Sequence, residues 1–142
     1  MKTIKCTKID TGGHGYLSVS KKDIILSGLD ANQISEYSGH TLNRIYLEED
    51  CDATLFYDTC KSKDIEIKVK YSYNSKFNIT HNYNSKLFNY SPKINDIIIA
   101  RNDRSYKIIN KNNKIIIVND IITNKNYSIP LTNPFKYLKD IN

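Results

Sequence analysis

The densest chemistry in the chain is the run Tyr46-Leu47-Glu48-Glu49-Asp50-Cys51-Asp52-Ala53-Thr54-Leu55-Phe56. Paired carboxylates hold hard cations such as Mg²⁺ or act as general acid and base. On an extended approach Glu48 and Asp50 point one way and Glu49 the other, so at most one pair forms. No His, Lys or second acidic motif matches them, which leaves a metal-dependent hydrolase at this joint as the lesser alternative. The spacing favours a strand-to-helix joint instead. Asp50 or Asp52 serves as N-cap, the acidic residues oppose the positive end of the helix dipole, and Leu55 with Cys51 forms a buried stripe. Glu48, Glu49, Asp50 and Asp52 are then expected to present a surface to a basic partner.

A different constellation is basic. Arg101, Arg104, Lys107, Lys111 and Lys114 fall on two successive hairpin turns, with Tyr106 and Tyr127 nearby. Cations interleaved with aromatic rings suit single-stranded nucleic acid, the charges meeting phosphates and the rings stacking on bases. A lysine-rich solvated loop set has the same composition. His14 sits in a glycine turn, and His40 and His81 have no acidic or Cys neighbour at ligand spacing, so all three read as structural or surface residues. Cys51 at a helix start suits a thiolate, but the carboxylates around it raise its pKa and point to a small buried residue. No catalytic residue, metal ligand or cofactor is expected.

The elements that position these groups follow from periodicity. Ile4–Ile9 alternates as a strand, Asp10-Thr11-Gly12-Gly13-His14-Gly15 turns the chain, and Tyr16–Val19 returns, a hairpin over residues 3–20. A strand, not a helix, follows the glycines, so neither a P-loop nor a dinucleotide fingerprint fits. Ser20 caps a short helix to Gly28 with Ile24, Ile25, Leu26 and Leu29 as its apolar side. A loop over Asp30–Gly39 precedes a strand over Thr41–Leu47 and a helix from Asp52 to Lys61. Ile65–Tyr71 alternates with period two. Residues 1–72 thus read as α+β, a small antiparallel sheet with two short helices. Residues 73–92, where Tyr-Asn-Ser-Lys recurs after ten residues, read as a linker or hairpin. Residues 93–142 read as a meander of short strands over 96–100, 106–109, 115–118 and 127–131. A helical turn over Asn133–Leu138 follows, closing toward a small Src-homology-3-like β-barrel.

Composition agrees with a small, mostly polar protein. The 142 residues are 39% hydrophobic, with 11 Tyr, 4 Phe and no Trp, and the net charge is +6. The excess of Asn, Lys, Ile and Tyr fits the codon bias of an AT-rich genome. Residues 1–72 hold 10 basic against 11 acidic groups, and residues 73–142 hold 11 against 4. Three cysteines without metal spacing, no signal peptide and no long apolar run point to reduced thiols in a cytosolic protein with no membrane partner.

Three blocks, Asp10-Thr11-Gly12-Gly13-His14-Gly15-Tyr16-Leu17-Ser18-Val19, Ile34-Ser35-Glu36-Tyr37-Ser38-Gly39 and Tyr46-Leu47-Glu48-Glu49-Asp50-Cys51-Asp52-Ala53 with Phe56, fall in order over about residues 10–56. They resemble a family of short proteins carried by phages, plasmids and other mobile elements. The resemblance supplies no catalytic residue; it implies a small accessory protein in the host bacterial cytoplasm. The size and build are similar to anti-CRISPR and other anti-defence proteins. The expectation is a non-enzymatic inhibitor of bacterial immunity that binds a defence effector, such as a CRISPR nuclease with its guide RNA. A nucleic-acid-binding accessory protein that uses the basic second half to hold RNA is the alternative.

Overall fold

A computed structural model of the chain describes residues 2–79, 82–131 and 137–142. The chain divides into two compact units, Met1–Ser85 and Lys86–Asn142, and the division falls inside the stretch expected to be linker or hairpin. The architecture is mixed α+β, with two α-helices and two sheets. Among the described residues no helix is long and apolar enough to cross a membrane.

In the first unit β1 (Lys2–Asp10) and β2 (Gly15–Ser20) form the expected hairpin. Gly12, at φ 93°, supplies the left-handed residue of its turn. Ser20 caps α1 (Lys21–Ser27) by accepting from the Asp23 amide, and Gly28 ends it at φ 77°. Ile24 is fully buried and Leu29 nearly so, but Ile25 and Leu26 are exposed. A seven-residue helix buries one stripe, and neighbours one or two positions along lie about 100° or 200° around it.

β3 (Gly39–His40) and β4 (Arg44–Glu48) lead to α2 (Asp52–Ser62) and β5 (Ile65–Tyr73). The sheet order is β3-β4-β2-β1-β5. β5 pairs with β1 in parallel, so the sheet is mixed and not antiparallel as expected. The reason is α2: a helix between two strands returns the chain to its starting end, so β5 runs with β4 and therefore with β1. Ile4, Cys6, Leu17, Val19, Ile45 and Leu47 from the strands, with Ile24, Phe56 and Cys60 from the helices, make the buried core. The stretch after β5 is held to this unit. The Phe77 ring packs against Tyr16 and Tyr46 at 5.6 and 5.2 Å, and buried Tyr83 donates its hydroxyl to the Ala31 carbonyl at 2.6 Å.

The second unit is a five-stranded antiparallel sheet that curls into a half-barrel, in the order β10-β6-β7-β8-β9. Its strands are β6 (Ile97–Ala100), β7 (Ser105–Lys111), β8 (Ile115–Asp120), β9 (Asn126–Pro130) and β10 (Leu138–Ile141). Alternate residues Ile98, Tyr106, Ile108, Ile116, Val118, Ile129 and Leu138 are buried. A register shift between Ile108 and Asn110 marks a bulge that sharpens the curl. Most of the helical turn expected over 133–138 lies outside the described residues, as does His81; Leu138 itself opens β10.

Candidate nucleic-acid interface

The acidic joint is taken up by the fold. Asp52 is 3% exposed and occupies the first turn of α2, not its cap. Its carboxylate accepts from the Ser35 amide at 3.1 Å, from the Ser35 hydroxyl at 2.6 Å and from the Ser38 hydroxyl. Ser38 in turn accepts from the Glu48 amide at 2.9 Å, so the joint is laced to the loop before β3. The cap expected of Asp50 or Asp52 is not formed: Cys51 holds the N-cap position of α2 without a side-chain bond, and the Glu48 carboxylate instead braces the turn before it, accepting from the Asp50 and Cys51 amides at 3.0 and 3.2 Å. Burial alone would raise the Glu48 carboxyl, but these backbone donors and the Cys51 thiol hold it below its ordinary value.

Glu49 pairs with Lys8 at 2.8 Å across Gly15, where any side chain would collide with the carboxylate. Of the four only Asp50 is exposed, so they do not form one acidic face. Cys51 is exposed and Leu55 half-buried; the buried stripe is Asp52, Ala53, Phe56 and Cys60. The Cys51 thiol donates to Glu48 at 3.2 Å, and this bond is the main cause raising its pKa, away from nucleophile chemistry. Among the described residues, no three His, Cys, Asp or Glu side chains converge as a metal site requires.

The basic constellation meets a different fate. Arg101, Arg104 and Tyr106 line one concave pocket of about 440 Å³ with Ala100, Asn102, Val118, Tyr127, Ile129 and Tyr137. The β6–β7 turn aims the arginines. Its ends are tied by the Ala100 amide to the Arg104 carbonyl at 2.9 Å, and the Arg101 amide donates to the Tyr137 carbonyl at 2.9 Å. Asn102 accepts from the Arg104 amide and donates to the Tyr106 hydroxyl, both at 3.0 Å. Tyr106 and Tyr127 meet edge to face at 6.0 Å, their rings at 85°. Tyr127 and Tyr137 are partly exposed, while Val118 and Ile129 form a buried apolar floor.

Arg104 reaches Asp120 at 2.9 Å. Burial would raise the fully buried Asp120 carboxyl, but the Thr123 and Ile122 amides and the Arg104 guanidinium hold it below its ordinary value. Asp120 therefore stays an anion that fixes Arg104 at the rim. Burial lowers the Arg101 pKa, yet a guanidinium remains charged at neutral pH.

Lys107, Lys111 and Lys114 are not part of this pocket. Lys107 projects from the opposite face of β7 to Tyr106, by strand alternation. Lys111 and Lys114 belong to the β7–β8 turn, separated from the β6–β7 turn by the length of a seven-residue strand, about 20 Å. Lys111 is further engaged with the Pro92 carbonyl at 2.9 Å. The two turns are successive in sequence but lie at opposite ends of one strand. Asn102, Asp120 and Tyr137 are site residues that pattern reading missed. Asp120 had a signal: it continues the inward-facing series Ile116, Val118, and an acid in such a series implies a buried partner.

The pocket offers an apolar floor, tyrosine walls and guanidinium groups at its rim, which suits a planar ring bearing an anionic group. The carboxylate beside it is already committed to Arg104, and among the described residues no nucleophile–base pair lies in it. No family model, no curated protein and no solved structure matches the chain.

Proposed function

We propose that the chain is a non-enzymatic nucleic-acid-binding protein whose second unit takes an unpaired base of a single strand between its tyrosines while arginines hold the adjoining phosphate. One observation carries this reading: Arg101, Arg104, Tyr106, Tyr127 and Tyr137 converge on a single apolar-floored pocket. Stacking platforms with cationic rims bind single strands with little dependence on sequence. The short antiparallel strands on tight turns support viewing the curl as a small Src-homology-3-like barrel.

The mobile-element setting implied by the sequence resemblance gives the pocket a specific use. Held against the guide RNA of a defence nuclease in the host bacterial cytoplasm, it would make the protein an anti-CRISPR type inhibitor. The unpaired thiols Cys6, Cys51 and Cys60 accord with a reducing compartment. The acidic joint gives this use little support, since three of its four carboxylates are engaged within the fold.

Fluorescence anisotropy with labelled single-stranded RNA and DNA tests the reading. Tyr127→Ala is expected to weaken binding roughly 5- to 100-fold, the range for loss of one stacking ring. Equal affinity in the variant, or no binding by the native protein at low salt, overturns it.

A further inference from the structure

The face of the first sheet opposite its helices carries a basic groove that no stretch of sequence announces. Lys5, Thr7, Arg44, Lys68 and Lys70 line it. Strand register brings them together from three separate strands. Tyr46 lies opposite Ser18, Ser18 opposite Thr7, and Thr7 opposite Lys70, a single row across β4, β2, β1 and β5. One step along the strands, Arg44 lies opposite Ser20 and Lys5 opposite Lys68. Residues two apart share a face, so the four cations stand on one side of the sheet within three strand spacings, about 14 Å. The core residues Cys6, Val19, Leu17, Ile45 and Leu47 alternate with them toward the helices.

Among the described residues no carboxylate lines the groove. Lys5, Lys68 and Lys70 are exposed and form no ion pair among the described residues. The nearest acids on this face are occupied: Glu66 accepts from the Thr3 hydroxyl at 3.1 Å, and Glu48 from the Asp50 and Cys51 amides. Arg44 is held by the Ser18 hydroxyl at 2.8 Å and the Ser18 carbonyl at 3.1 Å. Four like charges placed so close raise the local potential and draw a polyanion. Between them lies the short, half-buried Thr7, while Ser18 is buried and held to Arg44 and the Ser20 hydroxyl accepts from the Asp23 amide, so the cations themselves supply the donors for a phosphate chain. At the end of the same face Tyr46, Tyr16 and Phe77 form an aromatic cluster, with Tyr46 in the row of Lys70. These rings hold the stretch after β5 to the sheet and remain partly exposed, so bases of a single strand running along the cations can lie against them; an acidic peptide has no bases to offer, and a duplex keeps its bases inside.

We propose that this groove binds the sugar–phosphate backbone of single-stranded nucleic acid, as a site separate from the pocket of the second unit. It stands on its own register and charge, whether or not that pocket takes a base.

The test is a salt titration of the full chain with labelled oligo-dT and oligo-rU, comparing the native protein with Lys5→Gln/Lys68→Gln/Lys70→Gln. Losing three phosphate contacts is expected to make the slope of log K against log salt shallower by about 2, with at least tenfold weaker binding at low salt. Circular dichroism melting checks that the variant folds; should it not, Lys68→Gln/Lys70→Gln, on exposed side chains of the edge strand, should reduce the slope by about 1.4. Tyr127→Ala in the same assay separates the two sites. A slope unchanged in the lysine variants, while Tyr127→Ala weakens binding, overturns the groove and leaves the pocket. A reduced slope in the lysine variants with Tyr127→Ala inert supports the groove alone. Competition by poly-glutamate or duplex DNA as effective as by the single strand overturns the choice of occupant.

Discussion

The acidic joint of the first unit and the arginine–tyrosine hairpin of the second unit are alike in sequence, each a dense set of charges beside apolar strands. The fold treats them in opposite ways. At the joint a strand ends and a helix begins within four residues, so several backbone amides lack partners and nearby carboxylates are drawn in to meet them. Glu48 accepts from the Asp50 and Cys51 amides, Asp52 turns inward to two serines, and Glu49 pairs with Lys8. At the hairpin backbone bonds and the Asn102 amide group close the turn without drawing on the charges of the turn, and Arg101 and the Asp120-held Arg104 stand at the rim of an apolar hollow. Charge density in sequence therefore signals function only after the unpaired backbone nearby has been counted.

The strongest test of that contrast is Asp52→Ala. It strands the Ser35 amide and the Ser35 and Ser38 hydroxyls around a buried void. Hydrogen bonds to a buried charge make the expected loss about 3 kcal/mol, read by urea denaturation. Asp50→Ala, on the exposed neighbour, should stay within about 0.5 kcal/mol of the native protein. Equal effects in the two variants would mean that the joint is a surface feature after all.

This division also explains what could be read in advance. The first hairpin, the Ser20 cap and the Gly28 stop are local and were legible from period-two alternation and turn chemistry. The parallel pairing of β5 was not, because it depends on where α2 delivers the chain. The inward turn of Asp52 left a trace, since Asp52, Phe56 and Cys60 share a helical stripe. Its partners Ser35 and Ser38, however, are 17 and 14 residues away, beyond any local rule. At the pocket, Arg101, Arg104 and Tyr106 were legible because one turn and one strand carry them, and Tyr127 because β9 pairs with β8. Lys111 and Lys114 misled for the same reason in reverse, with strand length separating what sequence order had placed together. Lys5, Arg44, Lys68 and Lys70 were invisible, being joined only by register.

A middle-sized effect tests how the turn of the joint is braced. Glu48→Gln removes the charge and one acceptor oxygen from the pair that serves the Asp50 and Cys51 amides, and should destabilise by about 1 kcal/mol. The sign with pH follows from the depressed Glu48 value. Its contribution is present above the unfolded carboxyl pKa, about 4.3, and is lost as pH falls through the folded one. Melting curves of native and variant proteins should therefore draw together on acidification. Curves that stay equally separated down to about pH 3 would mean that the Glu48 charge does not brace the turn.

The smallest effect concerns a charge that burial disfavours. Lys21, the first residue of α1, is 9% exposed, and burial lowers its pKa from 10.5 to about 8. Unlike the carboxylates of the joint, its charged form is disfavoured by the fold. Between about 8 and 10.5 the unfolded chain holds the proton that the folded chain has released, so stability rises with pH. Cys6 works against it at higher pH. Burial, the first of its causes, pushes that thiol from 9.0 to about 11, so the unfolded state releases its proton first and stability declines from about 9 upward. The visible window is therefore about pH 7.5 to 9, where the melting temperature should climb by ~1–2 °C. Lys21→Met keeps the apolar stem without the amine, and its melting temperature should not climb across that window, drifting down near pH 9 as the raised thiols take over. A native profile that is flat or falling there, or a methionine variant that climbs in parallel with it, would show that the charge of Lys21 is as well satisfied in the folded protein as in water.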